Sequence, residues 1–255
     1  KWLQRRQRSD GMWSMTGPYS NGASTENKEA ATGLALIAFQ GAGYTPESDS
    51  KGPFTRTVAR AWTSLLASQK ESGNFFRDGR GTGRLYTHAI CTIAICELYG
   101  MTRESKYRDA AQRAINYCVK SQAPEGGWRY TPNRDNDLSV TGWFVMALQS
   151  ARMAGLEVPS TTLSGVRGYL DTVSRNGGSE YAYSHRHGPT LSMTSEGLLC
   201  RQYLGWRHED PRLQRGADLL IENLPSWEEG DRDCYYWYYA TQVCHHMESH
   251  HWRVW

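Results

Sequence analysis

Residues Arg129 to Leu148 read RYTPNRDNDLSVTGWFVMAL, and the reading of this stretch decides the fold. A turn containing Pro132, Asn133, Asp135 and Asn136 runs into Asp137. A short acidic side chain at that point suits a helix N-cap, where it accepts a backbone N–H. From Leu138 onward the apolar residues fall at helical spacing. Just upstream, Gln122, Gly126 and Trp128 make a Q-x3-G-x-W signature. The order of helix end, signature, polar loop and capped helix recurs along the chain.

Working outward, Gln7, Gly11 and Trp13 form the same signature, and Gln69, Gly73 and Phe75 repeat it with Phe in the last place. A degenerate copy keeps Gly177 and Gly178, with Tyr181 and Tyr183 as its aromatics. Periodicity predicts helices at about 26–40, 53–69, 85–99, 105–121, 137–154, 159–173, 190–204, 211–224 and 234–248. Thr32, His88, Thr141 and Thr194 align as one position, at intervals of 56, 53 and 53 residues. The next residue is always small: Gly33, Ala89, Gly142 and Ser195. Tyr239 and Ala240 fall where a fifth copy would. A repeat of this length holding two helices implies stacked helical hairpins, each too small to bury its apolar face alone. One helix of each pair then forms an inner layer, and the Gln-terminated helix an outer layer.

A net charge of +3, from 29 basic and 26 acidic residues, gives no electrostatic footprint for nucleic acid. No apolar run is long enough to span a membrane. The six cysteines lie in apolar stretches with no paired framework and read as reduced core residues. The aromatic bias is unusual: 10 Trp and 15 Tyr against 5 Phe. Side chains with a large apolar face and a polar tip suit a lined cavity or a packed helical shell.

With its repeated Q-x3-G-x-W and its GGWRY turn, the chain resembles the squalene/hopene cyclase and protein prenyltransferase superfamily over residues 1 to 248. The resemblance implies an all-α fold, an (α/α) toroid of helical hairpins in one domain spanning 1–255. About five inner helices and four complete hairpins are readable here, against about six hairpins in the family. The expectation is therefore an incomplete toroid, a fragment of a longer chain. It also implies that Gln7, Gln69, Gln122, Trp13 and Trp128 are structural, tying outer-helix ends to neighbouring turns.

Two family motifs bear on chemistry. Class II terpenoid cyclases carry D-x-D-D-T, whose middle Asp protonates an alkene or epoxide. The matching place here, Asp137-Leu138-Ser139-Val140-Thr141, keeps the first Asp and the Thr and replaces the other two acids. The alternative for Asp137 is a helix cap. Protein prenyltransferases hold zinc with Asp, Cys and His. Cys234 matches the ligand Cys, Arg232 stands where the Asp belongs, and Asp231 or Asp233 are the available substitutes. Zinc catalysis needs three protein ligands and an open position. The tail offers His246 and His250 at i, i+4 if the helix continues.

His88 replaces Thr at the repeat position and is a candidate acid/base group, with Tyr86 beside it as a ligand contact; the alternative is a hydrogen-bonded core residue. Arg80, Arg84, Arg129, Arg134, His185 and His187 lie in loops before inner helices, where they could receive a diphosphate or another anion. In the run Tyr235 to Tyr239, two or three of the five aromatics should face inward and could stabilise a carbocation. The expected cavity wall is Tyr86, Trp143, Glu196, Tyr235, Tyr236 and Tyr239, with Asp137 and His88 as catalytic candidates. The leading functional expectation is an apolar, isoprenoid-class small molecule in an aromatic-lined cavity. A non-catalytic scaffold toroid with a protein partner, and a glycan-binding or glycan-cleaving toroid, are the alternatives.

Overall fold

A computed structural model describes residues 1–48, 52–76, 83–228 and 232–255. The expected all-α class is what it shows. Eleven α-helices occur among the described residues: α1 Trp2–Arg6, α2 Lys28–Gly41, α3 Thr55–Ser68, α4 Arg84–Thr102, α5 Ser105–Lys120, α6 Leu138–Met153, α7 Ser160–Val173, α8 Leu191–Tyr203, α9 Pro211–Ile221, α10 Cys234–Met247 and α11 Ser249–Val254. The one small sheet pairs β1, Ser174–Arg175, with β2, Glu180–Tyr181, around the degenerate signature. α1 lies where the repeat order expects a helix before Gln7, while α11 and this hairpin have no counterpart in the periodicity, being too short to show one.

The chain divides into two units. Unit 1 holds residues 1–121, 130–132 and 147–159; unit 2 holds 122–129, 133–146 and 160–255. In unit 1, α2 packs on α3 and α4, and α4 on α5. Asn27 starts α2 by accepting from the Ala30 N–H. α4 is buried nearly all round from Leu85 to Leu98, as its Ala/Ile/Cys run requires. α5 buries one stripe, Tyr107, Ala110, Ala111, Ala114, Ile115 and Cys118. The small repeat position has a steric cause: a Cβ on Gly33 would lie 2.9 Å from the Ile90 side chain of α4. In unit 2, α8 packs on α9 and α10, and α9 contacts α10 and α11.

The three glutamines share one geometry. Each Nε2 donates to the carbonyl of the glycine four residues on and to a carbonyl in the following odd-numbered helix. The distances are 2.8 and 2.8 Å for Gln7 (Gly11, Thr57), 3.1 and 2.9 Å for Gln69 (Gly73, Ala110), and 2.7 and 3.0 Å for Gln122 (Gly126, Thr162). Gly11, Gly73 and Gly126 all have positive φ, and a Cβ on them would collide with the carbonyls of Arg60, Arg113 and Gly165. The aromatic two residues later is fixed through its backbone. Trp13, Trp128 and Tyr181 donate their N–H groups to Thr32, Thr141 and Thr194 at 3.0–3.1 Å. The aligned threonines therefore hold the turn that precedes their own helix.

The condition for an i, i+4 pairing of His246 and His250, a helix that continues past Glu248, is not met. Glu248 and Ser249 take positive φ (57° and 42°), which breaks the chain between α10 and α11. His245 packs on Trp252, His246 on Tyr203, and His251 meets Asp218 at 2.8 Å. No described helix is long and apolar enough to cross a membrane.

Candidate active site in unit 2

Asp137 sits at the start of α6 with no exposure. Its Oδ1 accepts from the Val140 N–H (2.8 Å), which is the cap bond, and from the Ser139 hydroxyl (3.1 Å). Its Oδ2 accepts from the Tyr183 hydroxyl (2.6 Å) and from Arg129 Nε (3.1 Å). Burial pushes this carboxyl above the ordinary range, while Tyr183, Val140, Ser139 and Arg129 pull it down. Arg129 also reaches Asp135 at 3.1 Å. Asp137 thus caps a helix and anchors a polar cluster at once.

Glu196 on α8 is fully buried. Gly142 of α6 faces it, and a Cβ there would collide with the Glu196 carboxyl. This close approach is why the repeat position must be small. The Tyr235 hydroxyl lies 3.1 Å from Glu196 Oε1, 3.1 Å from Oε2 and 3.1 Å from the Ser139 carbonyl oxygen. A carbonyl can only accept, and a tyrosine hydroxyl has one proton. When Tyr235 donates to Ser139, it accepts from Glu196, which must then carry a proton. Burial independently raises the Glu196 carboxyl well above its usual range; Tyr235 and Tyr239 lower it, and the Asp137 charge raises it further.

Aromatic rings close over this acid. Tyr235 packs on Tyr239 at 4.9 Å between centroids, Trp143 meets Tyr239 edge-on at 6.0 Å, and Trp143 stacks on Tyr238 at 5.5 Å. Of the expected wall, Asp137, Trp143, Glu196, Tyr235 and Tyr239 therefore belong to one unit and are linked by contacts. Tyr236 faces the other way: its hydroxyl reaches the Leu220 and Asn223 carbonyls at 3.0 and 2.9 Å, holding α10 to the end of α9.

The remaining candidates lie in unit 1. Tyr86 meets Tyr130 at 6.5 Å. His88 is fully buried against Phe75 and Tyr117, with Nε2 3.1 Å from the Ala114 carbonyl and 3.3 Å from Cys118 Sγ. Burial drives its pKa down to about 3, so the imidazole is neutral.

For a metal, Cys234 is exposed at the start of α10. Asp233 is engaged as the α10 cap, accepting from Tyr236 N–H at 2.9 Å and from the Ser192 hydroxyl at 2.5 Å. Among the described residues no group of three or more His, Cys, Asp or Glu side chains is placed to hold a metal ion. Asp231, and Arg80 of the proposed anion loops, lie outside the described residues. Arg84 stacks over Phe76 at 5.7 Å.

Arg129, Arg134, His185 and His187 do come together, joined by Arg186, Asp135 and Tyr183 around an open polar cavity of about 450 Å³. Arg175 holds this loop, donating to the His185 and His187 carbonyls at 2.9 and 3.2 Å. Tyr183 is the residue that pattern reading passed over as a site residue. It stands two places after the turn aromatic Tyr181, as Tyr130 does after Trp128, so repeat alignment contained the signal.

Residues 51–141 match the family model described as pectic acid lyase. Over 99 residues, 39% of this chain, the sequence is 32% identical to a (+)-kolavenyl diphosphate synthase of Herpetosiphon aurantiacus; the match takes in 17% of that relative's length. Among solved structures, a protein from Actinoplanes aligns over 99% of this chain and 75% of its own, with a TM-score of 0.62 and 13% identity. The chain is thus similar over part of its length to a diphosphate synthase, and it shares its helical fold with the solved protein.

Proposed function

We propose that the chain is a terpenoid-cyclase-like (α/α) toroidal region that binds an apolar, isoprenoid-class ligand. The binding wall is Trp143, Tyr235 and Tyr239, with Glu196 behind them. The observation that carries this reading is a fully buried Glu196 packed against Gly142 and met by the Tyr235 hydroxyl at 3.1 Å, where burial raises its carboxyl well above the ordinary range and favours the neutral form. A neutral carboxyl tolerates hydrocarbon beside it, whereas a buried carboxylate costs several kcal/mol. On this reading the proton-holding acid is Glu196. Asp137, tied to Arg129 and Tyr183, positions the start of α6. Aromatic faces beside such an acid suit a ligand on which positive charge develops. The partial identity to a diphosphate synthase supports the ligand class.

A second reading rests on a separate observation. The pectic acid lyase match names a glycan that bears carboxylates, and the cavity ringed by Arg129, Arg134, Arg186, His185 and His187 offers donors to such groups. Titration of the purified chain with geranylgeraniol and with trigalacturonate, followed by tryptophan fluorescence, separates the two. The first reading expects saturable geranylgeraniol binding that Trp143→Ala weakens at least tenfold. Trigalacturonate binding that Arg134→Ala weakens, with no response to geranylgeraniol, would replace it by the second.

A further inference from the structure

In unit 1, the C-terminal turns of α2, α4 and α6 surround a cavity of about 310 Å³. Its walls are largely apolar: Gly41, Cys96, Gly100, Met101, Met153 and Ala154. Three polar side chains also line it, Gln40, Glu97 and Ser150. Met101 and Met153, 46% and 73% exposed, provide flexible and polarisable surface there.

Among the three polar groups, Glu97 is the one that can carry charge. Gln40 is 4% exposed; its Nε2 donates to the Ala94 carbonyl at 2.9 Å, while Oε1 accepts from no described residue. Glu97 presents a carboxyl, 3.5 Å from the Ser150 hydroxyl. Burial raises that carboxyl above its ordinary range, and the Ser150 hydroxyl lowers it. Among the described residues no basic side chain lines the cavity. Arg103, just beyond α4, is engaged with the Ala154 carbonyl, and Arg152 with Gln149. Three helix C-termini add partial negative charge of the same sign.

We propose that this cavity is a binding site for an apolar organic cation, an alkylammonium whose N–H groups meet the Glu97 carboxyl and whose hydrocarbon lies against Met101, Met153 and Ala154. The site is independent of the acid in unit 2. Binding restores the ionised Glu97 by pairing it, a gain that neither an alcohol nor a carboxylate of the same size obtains.

Isothermal titration of the whole chain with hexylammonium, 1-hexanol and hexanoate tests this. The expected result is one hexylammonium per chain, bound at least tenfold more tightly than hexanol, with no hexanoate binding. Glu97→Gln should remove the tenfold preference while leaving hexanol binding in place. Gly41→Leu, at a position where a Cβ meets nothing within 4 Å, should fill the cavity and abolish both without loss of folding. Equal binding of ammonium and alcohol, an unchanged preference in Glu97→Gln, or no saturable binding of hexylammonium would each overturn the proposal.

Discussion

The Tyr235 hydroxyl lies 3.1 Å from both carboxyl oxygens of Glu196 and from the Ser139 carbonyl, so one phenol joins α10 to α8 and α6. Its single proton cannot serve an ionised Glu196 and the carbonyl together. Burial raises the Glu196 carboxyl well above its ordinary range, which favours a proton on this fully buried acid.

A proton there has a signature in stability. Glu196 binds its proton more tightly folded than unfolded, where a glutamate titrates near 4.5. Its contribution is complete below that pH and is lost as pH rises through the folded value. The slope is about 1.4 kcal/mol per pH unit within that window. Glu196→Gln, uncharged at every pH, should flatten this slope in urea-unfolding series run from pH 5 to 9. An unchanged slope would mean that Glu196 is ionised.

Arg129 neutralises a carboxylate that has no exposure. Removing one partner of such a pair leaves the other charge uncompensated; discounted for the partial exposure of Arg129, Arg129→Met should lose about 1–3 kcal/mol at pH 7. The deficit should shrink toward pH 4, where Asp137 protonates more readily without its guanidinium partner. Unfolding midpoints of the variant at the two pH values are the check.

The turn geometry predicts a graded response. Gln122→Ala removes two hydrogen bonds and should cost about 1–3 kcal/mol. Gly126→Ala should cost more, because positive φ and the Gly165 carbonyl both oppose a Cβ. Thermal unfolding of the two variants side by side reads the order directly.

His88 gives the opposite pH dependence to Glu196. Folding depresses its pKa from 6.5 to about 3, so its contribution is full above 6.5 and is lost as pH falls toward 3. His88→Thr, which installs the residue found in the other copies, should flatten the acid limb of the stability curve whatever it does to stability at pH 8.

The helices from α2 to α10 were legible because their apolar faces repeat every 3.6 residues, and the threonine and small-residue positions were legible because the unit recurs. The role of each was not. That Thr141 binds the Trp128 N–H, or that Gly142 exists to admit the Glu196 carboxyl, depends on which residues meet across helices, and spacing along one chain does not encode that. Asp137 was legible twice over, as cap and as remnant of an acid motif, and the structure shows the cap bond together with its Arg129 and Tyr183 partners. Tyr235 and Tyr236 were indistinguishable in a run of aromatics; a 100° turn of the helix sends one to Glu196 and the other to α9. The end of α10 near Glu248 was legible, but the positive φ of Glu248 and Ser249 was not, because these are not residues that mark it.

The most direct test of the account is the protonation state of Glu196. Infrared difference spectra of the wild type against Glu196→Gln at pH 7 report the C=O stretch of a protonated carboxyl separately from the carboxylate bands. If Glu196 is neutral, the wild type shows the protonated band, Glu196→Gln loses it, and geranylgeraniol shifts it. Carboxylate bands alone at pH 7 would contradict the neutral acid on which the proposed ligand site rests.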